Sequence, residues 1–328
     1  MNTSIKDQPH AIAAQHSVKN LPVNLFGAVM GLAGLSLAWR LASRVYGAST
    51  LIAEGVGIAA IIVFIALASA YIVKWARYPS VVKAEFTHPI AANFFGTISI
   101  GILLLSTVVA NYSTSLQGLA WTVGAISTIV FSSMMIARLL EGNVDAKHVV
   151  PACLIPGVAT LDITVAGGSL PMTWAHEVNL FAAGVGAILA LIFLTLIFSR
   201  LMHKEALASG MVPSMMILIA PFAVGFLAYV NLARQIDAFA ALLFYFGLFL
   251  FLVLAMKIFR SPGTFGPGGW AISFPMAALA NAALKYAAAQ NISGLYYLAA
   301  VILAIVTIAI VVLFVRTLQA LLNGKLLG

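Results

Sequence analysis

Charge is the scarcest commodity in this sequence: 8% of its 328 residues are charged, against 62% hydrophobic. Soluble domains carry roughly 25% charged residues, so a soluble globular fold, a disordered chain and a nucleic-acid binder are all excluded. A single cysteine, Cys153, rules out a disulfide framework and a cysteine-based metal cluster. There is no Walker motif, no His/Glu metal cluster and no G-x-S-x-G turn. An ATP-driven pump or an intramembrane hydrolase is therefore not expected, and neither is a cofactor or a bound metal. The 17 basic residues, set against 9 acidic ones, form no basic cluster. What remains is an all-α integral membrane protein.

A membrane-crossing helix needs about 20 apolar residues. Apolar runs bounded by charges or turn residues fall at 21–41, 55–73, 89–111, 117–138, 150–170, 176–199, 211–232, 238–256, 267–287 and 292–316. Ten transmembrane helices are expected, within a channel domain over 21–322. Residues 1–20, with Lys6, Asp7, Pro9, His10, His16 and Lys19, lack the apolar stretch of a cleavable signal and are expected to form a tail. Residues 323–328 make a second, shorter tail.

Ten spans place both termini on one side. That side then holds thirteen of the 17 basic residues, and the other holds Arg40, Arg44, Arg234 and Lys285. Positive charge stays cytoplasmic. The expected location is a plasma (bacterial inner) membrane with both ends in the cytoplasm.

Proline is distributed unevenly. Odd-numbered spans contain or begin with Pro22, Pro89, Pro151 and Pro156, Pro213 and Pro221, and Pro267 and Pro275; the even-numbered spans contain none. Gly27, Gly31, Gly34, Gly96 and Gly101 follow the same bias. Odd spans begin near 21, 89, 150, 211 and 267, a period of about 60 residues, which reads as five diverged helical hairpins. Interrupted helices survive in a bilayer only where protein or a water-filled cavity satisfies the freed backbone groups. The odd helices are therefore expected to form an inner ring of five around an axial hole. The even ones, rich in Leu, Ile, Val and Phe, would face lipid.

Ionisable residues at membrane depth are few. Asp162 lies in mid-span and is either a site for coupling to protons or a packing residue, protonated or hydrogen-bonded with help from Thr160 and Thr164; packing is the preferred reading. Glu54, His176 and Glu177 sit near span ends, where interfacial roles are expected, and His88 precedes Pro89 as a cap. Lys285 lies late in the ninth span, at the non-cytoplasmic mouth, where it would draw in anions. A pore with almost no fixed charge gives weak selectivity, so the potentials at its mouths would do the sorting.

Several segments resemble the tellurite-resistance/dicarboxylate transporter family, which includes bacterial TehA and the plant slow anion channels. In the ninth span, Gly268-Gly269-Trp270-Ala271-Ile272-Ser273-Phe274-Pro275 is similar to that family's W-A-x-[ST]-F-P stretch. The first span carries Phe26-Gly27-Ala28-Val29-Met30-Gly31, then Leu35, Trp39 and Arg40; the third carries His88-Pro89 and Asn93-Phe94-Phe95-Gly96. The seventh carries Pro221-Phe222-Ala223-Val224-Gly225 and Tyr229. Gly269 stands where the family often has a second tryptophan, and Asp162 matches no pattern of the family.

The resemblance implies five helical hairpins around a pseudo-fivefold central pore, assembled as a homotrimer, with small inorganic or organic anions as substrates. It also implies that one phenylalanine of the ninth span, here Phe274, blocks the pore midway. The pore-lining or kink positions would be Gly31, Phe94, Gly96, Pro156, Pro221, Pro275 and Ala278. Two functions remain open: a gated anion channel, and a secondary transporter of dicarboxylates, sulfite or tellurium oxyanions coupled to protons through Asp162.

Overall fold

The computed structural model describes residues 17–142, 145–260 and 266–327. The expected N-terminal tail, apart from its last four residues, lies outside them. Among the described residues there are eleven α-helices and no strand: α1 (Gly27–Tyr46), α2 (Thr50–Arg77), α3 (Pro79–Thr87), α4 (Gly96–Val109), α5 (Thr114–Leu140), α6 (Ile155–Gly167), α7 (Thr173–His203), α8 (Ala220–Ala233), α9 (Ala238–Arg260), α10 (Ser273–Gln290) and α11 (Ser293–Leu322).

The prolines do something other than kink these helices midway. Each of α1, α4, α6, α8 and α10 is led by a tighter 3₁₀ segment: Val23–Phe26, Ala91–Phe95, Pro151–Leu154, Ser209–Ile219 and Pro267–Ile272. Pro156, Pro221 and Pro275 then occupy the first turn of α6, α8 and α10. Proline is tolerated in a first turn because the N–H it lacks has no acceptor within an α-helix there. These residues therefore mark where 3₁₀ winding gives way to α winding. The sequence signals an interruption at these places, and it takes the form of a change of winding.

Helices α1, α4, α6, α8 and α10 pack in a closed cycle, each against two others: α1 on α4, α4 on α6, α6 on α8, α8 on α10 and α10 back on α1. Each is also paired with the long helix that follows it, α2, α5, α7, α9 or α11. The two sets differ in burial. In its most apolar stretch the first span is 78% buried, whereas α2 is 17% buried and shows Ile58, Ile62, Ile65 and Ile72 on its outer face. Among the described residues, eight helical segments are long and apolar enough to cross a membrane. Pro151–Gly167 is apolar but shorter, and α10 with its lead-in is not among the eight. That helix is built mainly on alanine and carries Asn281 and Lys285, so its apolar content is lower than its neighbours'.

Small residues and polar clips hold the cycle together. A Cβ on Gly31 would run into the Ser273 side chain, and one on Gly96 would lie 2.7 Å from the Phe131 ring. Both glycines are thus points of close helix approach. Asn281 Nδ2 donates to the Gly34 carbonyl at 2.9 Å, tying α10 to α1. Trp121 Nε1 donates to the Ile163 carbonyl at 2.9 Å, tying α5 to α6.

The first and last described segments meet. Ser17 N–H and the Asn20 side-chain amide both donate to the Leu327 carbonyl, at 3.2 and 3.0 Å. The short helix α3, which no apolar run announces, lies on this face. Its Glu85 accepts from Lys74 at 2.6 Å, Tyr71 at 2.8 Å and the Val23 N–H at 2.8 Å. His88 follows α3 and caps the start of the next segment, its Nδ1 accepting from the Ile90 and Ala91 N–H groups.

Candidate functional site

At the C-terminal ends of the cycle helices, away from the chain termini, lies a cavity of about 360 Å³. Each helix lines it at helical spacing: Gly34, Leu37, Leu41 and Arg44 from α1; Leu104 and Thr107 from α4; Asp162 and Val165 from α6; Val224, Leu227 and Asn231 from α8; Phe274, Ala278, Asn281 and Lys285 from α10. A second, narrow cavity of about 40 Å³ lies on the terminal side. All five 3₁₀-to-α junctions wall it, through Gly27, Phe94 and Thr97, Ile155, Ala220, and Trp270 with Pro275. Phe274, 6% exposed, lines both cavities.

The larger cavity is basic. Arg40, Arg44, Arg234 and Lys285 all line it. These are the four cations that the span count assigned to the minority side, and the fold brings them together. They differ in how far they are occupied. Arg40 donates to the Thr107 and Val108 carbonyls at 3.2 and 3.1 Å and faces Glu54 at 3.6 Å. It closes the C-terminal end of α4, where carbonyls lack helical partners. Arg234 donates to the Gly168 carbonyl at 2.7 Å, and Lys285 to Asn231 Oδ1 at 3.3 Å. Arg44, Arg234 and Lys285 form no ion pair among the described residues. Three cations without acidic partners in one concave site raise the local anion concentration.

Of the residues expected from the sequence, Phe274, Ala278, Phe94 and Pro275 line the cavities, whereas Gly31, Gly96, Pro156 and Pro221 sit at helix contacts or helix starts. Asp162, 1% exposed, lies at the inner end of the basic cavity. Thr160 and Thr164 do not assist it: their hydroxyls donate to the Gly157 and Asn179 carbonyls. Glu54 pairs with Arg40, and His176 lines a smaller polar cavity of about 210 Å³ beside the first. Asn231, Asn281 and Thr107 carried no signal in the sequence, because single amides and hydroxyls in apolar runs are common packing residues.

A basic cavity and a narrow apolar one thus share the Phe274 ring in their linings. The chain matches the voltage-dependent anion channel family over residues 20–318, and it belongs to that family. It is 29% identical to the tellurite resistance protein TehA homolog of Haemophilus influenzae over 81% of both chains. It is also 25% identical to the guard cell S-type anion channel SLAC1 of Arabidopsis thaliana, over 90% of this chain and 55% of that one. The S-type anion channel SLAH3 of the same plant is 23% identical over 90% of this chain and 48% of its own. The chain thus spans about half the length of these plant relatives.

Proposed function

We propose that the protein is a gated anion channel of a bacterial inner membrane, conducting small anions along the axis of its five-helix cycle. In this reading ten helices span the bilayer as five hairpins about a pseudo-fivefold pore. Both termini are cytoplasmic, the basic cavity opens outward, and the chain assembles as a homotrimer. Phe274 is the gate. The observation that carries the reading is that this one ring is common to both cavities, with the unpaired cations on one side of it. A closed aromatic constriction excludes water and ions without any fixed charge.

The test is anion flux into liposomes holding the purified protein, for wild type and Phe274→Ala. Passive flux that rises on removal of the ring supports the channel. Flux that stays at the protein-free level in both overturns it.

A second reading is favoured by one observation, the buried carboxyl of Asp162 beside the pathway: a secondary transporter of dicarboxylates, sulfite or tellurium oxyanions, driven by protons. Uphill uptake that collapses when the proton gradient is dissipated would select it.

A further inference from the structure

Three buried polar atoms on the walls of the basic cavity have no hydrogen-bond partner: Asp162 Oδ2, Thr107 Oγ1 and Arg40 Nε. Buried polar groups in folded proteins are almost always paired. Eight such atoms occur among the described residues, and three of them belong to residues that line this one cavity; they are covered, so an occupant meets them only as those side chains turn toward it. Asp162 is the most demanding of them. Its side chain is 1% exposed, it makes no ion pair among the described residues, and it is the innermost residue that α6 contributes, as Phe274 is for α10.

An isolated carboxylate in apolar surroundings is far more costly than the neutral acid. It would also repel the anions that the rim cations gather. The neutral acid reverses both effects. Its O–H becomes a donor that lacks an acceptor, at the place an anion must reach before passing the Phe274 ring.

We propose that the floor of the basic cavity is an anion subsite in which the un-ionised carboxyl of Asp162 donates a hydrogen bond to the passing anion, with Thr107 Oγ–H as a second donor. The ligand class is a small monovalent anion that accepts hydrogen bonds, nitrate and chloride among them. The rim cations concentrate it, and the floor strips part of its water and replaces it with two neutral donors. Losing the Asp162 proton puts a fixed negative charge beside the partition and closes the pathway. The subsite rests on the conduction reading above.

The other groups that could impose a pH dependence can be named by element. Arg40 and Arg44 on α1, Arg234 at the end of α8 and Lys285 on α10 line the same cavity. Of these only Lys285 exchanges its proton readily, since arginine stays charged throughout. Helix α4 has no titratable residue. Arg138, at the terminal-side end of α5, lies outside the cavity lining, as do His176 and Glu177, in the first turns of α7. Lys285→Arg keeps the charge and separates that group from Asp162.

The experiment measures nitrate and chloride flux in liposomes from about pH 5 to 8. Both anions keep their charge over that range, so the profile reports the protein. Wild type and Lys285→Arg should lose flux as pH rises. Asp162→Asn, which keeps a donor and cannot ionise, should hold the low-pH flux across the range. Asp162→Ala should be pH-independent and severalfold slower. Should Asp162→Asn misfold, the infrared carbonyl band of a protonated carboxyl in the wild type, shifting when nitrate is added, reports the same group. A wild-type profile unchanged in Asp162→Asn, or the lack of that band at the low-pH end of the range, overturns the subsite and leaves conduction standing. Loss of all uphill proton-driven uptake in Asp162→Asn, with no downhill flux in the wild type, overturns it in favour of the carrier. Absence of flux in every variant, Phe274→Ala included, overturns conduction itself and the subsite with it.

Discussion

At the residue scale the proposed gate is a single ring, the one side chain that lines both cavities. Phe274 follows the 3₁₀ segment and precedes Pro275, so its backbone is set at the junction where α winding begins. A side chain that swings about 30° off its rotamer costs about 0.5–1.5 kcal/mol, which a modest stimulus can supply. Phe274→Ala should therefore raise anion flux by about an order of magnitude. Phe274→Leu should raise it less, since leucine still fills part of the gap. Thermal stability should change little, because the ring borders a cavity on each side. If Phe274→Ala lowers the melting temperature and leaves flux per folded molecule unchanged, the ring is packing and the gate lies elsewhere. Lys285 makes a different contribution. One unit charge at about 8 Å, in an effective dielectric constant of about 40, is worth about 1 kcal/mol. Lys285→Ala should then cut flux about fivefold at low salt and less at high salt, where screening shortens its reach. An equal loss at both ionic strengths would mean that the lysine acts through its bond to Asn231.

At the element scale, the alternation of inner and outer helices was legible because proline is confined to one set of spans. What it does there was not, since no propensity separates an i→i+3 from an i→i+4 turn in an apolar run. Gly31 and Gly96 show the same ambiguity: a missing side chain marks either a pore wall or a close helix contact, and here it is the contact. Helix α3 escaped notice because Pro79, Lys83 and Glu85 read as a polar connection. The structure gives it a task. Glu85 gathers Lys74, the Tyr71 hydroxyl and the Val23 N–H, pinning α3 to α2 and to the start of the first span. The Lys74 side chain is 3% exposed, so removing its partner leaves a buried charge held only by the Leu21 carbonyl, with no opposite charge. Breaking such a pair costs about 3–5 kcal/mol, and Glu85→Ala should unfold at markedly lower temperature in detergent. Restoration of stability by a second change, Lys74→Met, would separate the stranded charge from simple loss of contact. Asp237, ahead of α9, accepts from the Tyr229 hydroxyl at 2.6 Å and from the Ala240 N–H at 3.0 Å. The tyrosine hydroxyl first, and the backbone N–H after it, hold this carboxyl below its usual range. Its contribution is complete above the unfolded value of about 3.9 and fades as pH falls through the lower, folded value. Acid unfolding of Asp237→Asn should accordingly be less steep than that of wild type.

At the scale of the whole molecule, the minority set of Arg40, Arg44, Arg234 and Lys285 was legible as a count, while its convergence on one cavity needed the fold. Those residues come from three helices far apart in the chain and meet only because the cycle closes. The closed cycle also makes the barrier testable from one side. Ala278 lines the basic cavity and Ala271 the narrow one, with Phe274 common to both. With Cys153 replaced by serine, Ala278→Cys should react with a small membrane-impermeant thiol reagent added from outside. Ala271→Cys should not, until Phe274→Ala opens the way. Ile308→Cys, on the exposed face of α11, should stay unlabelled throughout because that face meets lipid. Charge adds a second readout. An anionic and a cationic reagent differ by two unit charges, and the unpaired cations of the cavity favour the anionic one; at about 1 kcal/mol per unit charge, about 2 kcal/mol and about a thirtyfold rate difference at low salt follow in the Ala278→Cys variant. The ratio should fall toward one as salt is raised, since a field from fixed charges is screened and a steric preference is not. Labelling of the Ala271→Cys variant from outside with the ring in place would put the barrier elsewhere. Equal rates for the two reagents at low salt would mean that the cations hold the helix ends and do not sort ions.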